Sequence, residues 1–210
     1  MMHGETIPSD VLKRQEYKRK FSVGDLYRGI LLVPEAVSGL KFNRKHKIVS
    51  PDLIERMQLA VTEVNGCAAC SYAHAHLAMK QGMSSEEIYS LLSGDISAIR
   101  PEEGKAILFA QQFADTGGVP DRDTYRMIEE TYGSYEARVM LSAIRMMQVG
   151  NIYGIPFSAF VSRLKGHPYR GSSILYELGM QVLSAVLLPF ALLHGVVRLF
   201  IKGRNGLPTL

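Results

Sequence analysis

The sequence predicts an all-α fold: a compact helical domain built around a helical hairpin that carries a Cys-x-x-Cys motif, with an additional apolar helix at the C-terminus. Three observations predict it. Alternating apolar and polar runs of the kind that make half-buried strands are scarce. Helix start and stop residues recur along the chain, as at Ser50-Pro51 and Asn65-Gly66. The twenty residues from Leu178 to Val197 contain no Asp, Glu, Lys or Arg.

The elements follow in order. Leu26 to Leu40 is apolar enough for helix, and Pro34 divides it into two short pieces. Ser50 caps the next helix and Pro51 fits its first position, while Leu53, Ile54, Met57, Ala60, Val61 and Val64 carry its apolar face. Asn65-Gly66 stops it, because both residues tolerate the left-handed conformation that ends helices. A second helix runs from about Cys67 to Gly82, and Ser84-Ser85-Glu86-Glu87 is a capping box that opens a short third helix to Leu92. Beyond Gly94-Asp95, Pro101 opens a helix to Asp115, and Thr116 to Pro120 is a loop. Asp121 or Asp123 caps a helix that Gly133 ends, and Ser134 caps a long apolar pattern that continues past a kink or break at Pro156 to Leu164. The expected organisation is a polar N-terminal arm (1–21), a helical domain (22–165) and a C-terminal apolar helix (172–204).

A chain of 210 residues with 47% hydrophobic and 21% charged side chains can bury a sizeable core and is not disordered by composition. The net charge of +4 is mildly basic. Its densest basic run, Lys41 to Lys47, lacks the length and the stacking aromatics of a nucleic-acid binder, so no nucleic-acid partner is expected. Two cysteines three positions apart do not make a secreted disulfide scaffold, and Met1 to Lys20 holds no apolar signal segment; a reducing cytoplasmic location is expected. The uncharged run after Leu178 is long enough to span a bilayer. Gly179, Gln181, Ser184, Pro189, His194 and Gly195 dilute it, so burial between subunits is expected first and membrane association is the alternative.

Cys67, Cys70 and His74 are spaced by three and four, which sets them on one face of a helix. At a helix start the free N–H groups and the macrodipole favour the Cys67 thiolate. His74, one turn beyond Cys70, can carry a proton near neutral pH. Glu55 precedes Cys67 by twelve residues. At 1.5 Å per residue, an antiparallel hairpin brings Glu55 level with His74 rather than with Cys67. Glu63, nearer in sequence, is expected to be solvated. A reversible dithiol needs this set: a stabilised thiolate, a second thiol and a proton carrier. Zinc is the rival, with Glu55 or His76 as a fourth ligand. Structural zinc usually draws its ligand pairs from two segments, and no second cysteine pair exists, so no metal and no cofactor are expected.

Glu55, Asn65-Gly66-Cys67-Ala68-Ala69-Cys70, His74 and Gly82-Met83-Ser84-Ser85-Glu86-Glu87-Ile88 together resemble the core of the carboxymuconolactone decarboxylase superfamily, on its alkyl hydroperoxidase D-like branch, whose pattern is Glu-x11-Cys-x2-Cys-x3-His. The resemblance is close over residues 50–92 and looser, as helices, to about residue 165. It implies a thiol-dependent peroxidase: Cys70 as the attacking thiolate, Cys67 as its resolving partner, and Glu55 with His74 as the proton relay. It also implies a hydroperoxide substrate, a protein dithiol or lipoyl-type electron donor, and assembly as a homo-oligomer, a trimer or hexamer. Some members carry a histidine just before the second cysteine, where this chain has Ala69. Two other functions share these residues: a redox sensor whose dithiol closes without turnover, and a decarboxylase, which would not depend on the cysteine pair. His194 is expected to be a satisfied core residue, Met140, Met146 and Met147 to serve packing, and Asn151 and Tyr153 to lie on a helix that packs over the dithiol.

Overall fold

The computed structural model describes residues 7–95 and 99–205, with side chains as far as residue 201. Residues 1–6 of the expected arm, and the side chains of Lys202 and Arg204, lie outside the described residues. Among the described residues there are helices and no strands, as the sequence predicts. They are α1 (Ser9–Leu12), α2 (Val23–His46), α3 (Pro51–Asn65), α4 (Ala68–Lys80), α5 (Ser85–Ser93), α6 (Gly104–Asp115), α7 (Arg122–Tyr132), α8 (Ser134–Leu164) and α9 (Ile174–Asn205), with a 3-10 turn (Pro101–Glu103) before α6.

Local chemistry sets the hairpin. The Ser50 hydroxyl accepts the Leu53 N–H at 3.1 Å to start α3, and Gly66, at φ 77°, ends it. Ser84 and Glu87 form the expected reciprocal capping box on α5. Asp121, rather than Asp123, caps α7 by accepting the Thr124 N–H at 2.9 Å. At α8 the expectation fails: Ser134 is the first helical residue and makes no cap, and Gly133 occupies the cap position.

Pro34, expected to divide its segment into two pieces, does not, and helix continues past Pro156 as expected, without a break. α2 runs unbroken through Pro34 and α8 through Pro156. At Pro34 the neighbouring helix supplies the reason. Gly195 of α9 crosses α2 so closely that a Cβ there would lie 2.3 Å from the Leu31 carbonyl and 3.0 Å from the Pro34 ring. Burial against α9 holds the turn that a proline weakens by removing one N–H.

α8 is the axis of the molecule, with α2, α3, α4, α7 and α9 packed against it. Three apolar clusters fill the spaces between helices. Met57, Phe109, Ile128 and Ile144 belong to one, among α3, α6, α7 and α8. Leu59, Ala78, Ile88 and the N-terminal Val11 belong to a second, around α4 and α5. Leu26, Ile30, Ile152, Ile155 and Met180 form the third, which also encloses Cys67. Each fully buried large aliphatic side chain stabilises by about 2 kcal/mol. Met140 and Met147 are in the core and Met146 is half-buried.

α9 lies along α2 and α8 rather than standing apart. Ile174–Ile201 is, among the described residues, the one helix long and apolar enough to cross a membrane. Its entry is fixed by Glu177, fully buried, which accepts from Arg163 Nε at 2.7 Å, Arg163 Nη2 at 2.8 Å and the Ser172 hydroxyl at 2.6 Å. His194 is exposed, against expectation, and its Nδ1 lies 3.0 Å from the Tyr27 hydroxyl.

The N-terminal residues are fastened to that same corner. The Arg170 N–H donates to the Gln15 carbonyl, Lys20 to the Gly171 carbonyl, and the Tyr176 hydroxyl bonds both backbone groups of Phe21. Tyr17 meets the Ser172 hydroxyl and the rings of Tyr169 and Tyr176, and burial pushes its pKa up to about 12, so it stays neutral. Lys18 reaches across to Glu63, which is therefore paired rather than solvated.

Candidate dithiol site

The site sits at the turn between α3 and α4, braced from α8. Three buried polar side chains along α3 bind that helix. Gln58 donates to the Ala143 carbonyl at 3.3 Å, the Thr62 hydroxyl to Asn151 Oδ1 at 2.9 Å, and Asn65 Nδ2 to Gln148 Oε1 at 2.7 Å. Each such bond stabilises by about 1 kcal/mol, and leaving one of its buried partners unpaired costs more. Together they fix the register of the hairpin against α8.

Cys67 is the cap residue of α4 and is fully buried; Cys70, in the first turn, is half-buried. The two sulfurs are joined as a disulfide, with Cα atoms 5.3 Å apart. The first-turn N–H groups are taken up locally. Cys70 N–H points at Cys67 Sγ at 3.3 Å, and Ala69 N–H donates to the Ser158 hydroxyl at 3.2 Å. Ser158 in turn donates to the Gly154 carbonyl at 2.7 Å. Cys70 Sγ lies 3.6 Å from the Gly150 carbonyl oxygen.

Further along α4, His74 Nδ1 is 2.8 Å from Glu55 Oε2. A carboxylate can only accept, so Nδ1 carries the proton and Nε2 is left to exchange one. Glu55 is buried and His74 half-buried. The structure thus brings Glu55 level with His74, at the height the helical rise predicts, and joins Cys67 to Cys70. His76 is half-buried, its ring edge-on to Tyr72 with centroids 4.6 Å apart. No group of three or more His, Cys, Asp or Glu able to hold a metal ion occurs among the described residues.

α8, which carries Asn151 and Tyr153, packs over the dithiol as expected, and neither of those side chains makes the contact. Asn151 is fully buried in the bond to Thr62, and Tyr153 is exposed beside Phe157. The contact is made instead by Gly150, Gly154 and Ser158, small residues four apart on one helix face. Their spacing was readable in the sequence; that the face meets two sulfurs was not.

A groove of about 550 Å³ opens beside Ala68 and Ala69, the two residues between the cysteines. Lys13, Arg14, Lys165 and His167 line it, and among the described residues no acidic side chain does.

No curated protein and no solved structure matches the chain. The model of the carboxymuconolactone decarboxylase family matches residues 32–112, from the middle of α2 into α6, a stretch that includes Glu55, Cys67, Cys70 and His74. Over these residues the chain is similar to the carboxymuconolactone decarboxylase family, and its joined cysteines are consistent with the alkyl hydroperoxidase D-like branch.

Proposed function

We propose that the protein reduces hydroperoxides at the Cys67–Cys70 pair, with Glu55 and His74 moving the protons. The supporting observation is one hairpin that holds both a formed Cys67–Cys70 bond and, one turn beyond it, a His74–Glu55 pair. In the reduced protein Cys70, the more exposed thiol, gives its proton to His74. The thiolate attacks a peroxide oxygen and the O–O bond breaks. One oxygen stays on Cys70 as a sulfenic acid, and the other leaves as an alkoxide that takes the proton back and departs as alcohol. The Cys67 sulfur displaces the sulfenic oxygen, which leaves as water, and the disulfide forms. A protein dithiol or lipoyl-type donor then attacks Cys70 and expels Cys67 as a thiolate; the Cys70 N–H aimed at Cys67 Sγ favours that leaving group. The donor's second thiol releases it as a disulfide and both cysteines are reduced again.

The basic groove beside Ala68 and Ala69 suits a donor with an acidic surface. The outer face of α9 suits a second copy of the chain. Val182, Val186, Phe190, Leu193, Val197 and Phe200 are exposed at steps of four, four, three, four and three, the spacing of a helix–helix seam. We propose a homo-oligomer closed through that stripe, of trimer or hexamer size.

The test of the chemistry is turnover of tert-butyl hydroperoxide with dihydrolipoamide as donor. Cys70→Ser and Cys67→Ser are expected to abolish it and His74→Ala to slow it. Full activity in Cys70→Ser would sink the mechanism. A single stoichiometric oxidation, not repeated when donor is present, would make the protein a redox sensor instead.

A further inference from the structure

On the side of α8 away from the disulfide lies a cavity of about 190 Å³, bounded by α2, α9 and the loop after α6. Arg145 and Gly154 are two and a half helical turns apart, so they face opposite ways. Phe113 and Ile152 give the cavity apolar walls, and Arg28, Arg145, Arg198 and Gln148 bring polar atoms to it.

Two of these side chains are more than nine-tenths buried and hold an unused donor. Arg145 is 6% exposed and Gln148 4%. Arg145 Nε and Gln148 Nε2 have no hydrogen-bond partner among the described residues. Arg145 Nη1 forms an ion pair with Glu35 at 3.5 Å, longer than an ordinary N–H···O bond, which leaves Nε unserved. Orphaned buried donors are rare because each costs its full desolvation. The charge balance points the same way. Asp25, the one acidic residue on the wall among the described residues, is already bound by Arg28 and by the Ser22 cap. Burial first, with the like charge of Arg198 and against the pull of Glu35, lowers the pKa of Arg145 below the usual guanidinium range. An anion between the two guanidinium groups would reverse that.

We propose that this cavity binds a small organic monocarboxylate, its carboxylate on Arg145, Arg198 and Gln148 and its apolar body against Phe113 and Ile152. The size fits a short acyl chain or a single ring, below the range of drug-sized sites. Apolar walls around two orphaned donors and a surplus of arginine over acidic side chains distinguish such a ligand from a free inorganic anion, which would leave the walls uncovered, and from a neutral molecule, which would bring no charge to balance that surplus. Binding here does not depend on the dithiol chemistry and survives its failure.

The experiment is calorimetric titration of the full-length oxidised protein with benzoate and with hexanoate, alongside thermal unfolding. Benzyl alcohol and inorganic phosphate serve as comparisons. At least one carboxylate is expected to bind at millimolar concentration or better and to raise the unfolding temperature, with benzyl alcohol and phosphate binding more weakly. Arg198→Gln, at a half-buried position, is expected to leave the helical content unchanged by circular dichroism and to weaken carboxylate binding by about tenfold or more. Arg145→Met should abolish it; should that variant not fold, Arg198→Gln decides alone. Unchanged affinity in Arg198→Gln, benzyl alcohol or phosphate binding as tightly as the carboxylates, or no binding of either carboxylate would each overturn the proposal.

Discussion

Gly154 stands against Cys67 with no room for a side chain: a Cβ there would lie 2.7 Å from the Cys67 sulfur and 2.8 Å from that of Cys70. The glycine is needed for the space it leaves, not for its backbone freedom, since it lies mid-helix in α8. Gly154→Ala is therefore expected to spare the helical fold and to disfavour the joined state of the sulfurs. Overpacking of this kind costs about 1–3 kcal/mol, and about 1.4 kcal/mol moves a two-electron midpoint by about 30 mV. Redox titration against dithiothreitol should show the variant's disulfide opening at a less reducing poise. An unchanged midpoint would mean that α8 yields at this point.

The pairing of Glu55 with His74 carries a kinetic expectation. Glu55→Gln keeps the size of the side chain and removes the charge that orients the imidazole. It is expected to lower kcat/KM for hydroperoxide about tenfold or more, with less effect than His74→Ala, which removes the proton carrier itself. Circular dichroism should show both variants folded. Equal rates for Glu55→Gln and the parent would remove Glu55 from the mechanism.

Two carboxylates beside Arg56, itself 1% exposed on α3, respond to pH in opposite directions. Its hydrogen bond to Glu87, 2.8 Å long, holds that carboxyl below the usual value of 4.5. Burial pushes Glu103 above the same value, against the opposing pull of Arg56. Glu87 thus contributes stability above its unfolded pKa and loses it as pH falls through the lowered folded pKa. Glu103 is unfavourable once pH rises above its unfolded pKa, and that penalty is complete above its raised folded pKa. At pH 7 Glu87→Gln is expected to lower the unfolding temperature and Glu103→Gln to raise it. Both differences should shrink as pH falls below about 4. Thermal melts across pH 3–7 check the signs.

Lys13 and Lys165 flank the groove beside Ala68 and Ala69. If an acidic dithiol protein docks there, Lys13→Glu with Lys165→Glu should raise KM for that donor and flatten the salt dependence of turnover. Steady-state kinetics at low and moderate ionic strength would show it. An unaltered KM would place the donor elsewhere.

The exposed stripe on α9 predicts an assembly that charge can open. Phe190→Glu with Leu193→Glu is expected to shift the protein to a smaller species in sedimentation or size-exclusion measurements, leaving its helicity unchanged. Recovery of the parent protein only in the detergent-extracted fraction of cells would instead assign the stripe to lipid.

What the sequence disclosed follows from the range of the forces involved. The caps at Ser50, Gly66 and Ser84 act within four residues, so each helix of the hairpin announces its own ends. The match of Glu55 to His74 needed only the helical rise and one tight turn. Pro34 was misread because its helix is held by Gly195, far away in the chain, which local propensity cannot register. Glu63 and His194 were misjudged for the same reason: their partners, Lys18 and Tyr27, arrive from distant segments. The closeness of Gly154 to the sulfurs and the orphaned donors of Arg145 and Gln148 exist only once α8 has packed.

The backbone and ring contacts between residues 15–21 and 169–176 make the two flanks of the family-like segment into one clasp. Each flank contributes part of the surface on which the other settles. The pieces furthest apart along the polypeptide are expected to order, fray and be lost together, as a single cooperative unit. Removing either of these segments would not trim a tail; it would undo the clasp from both sides.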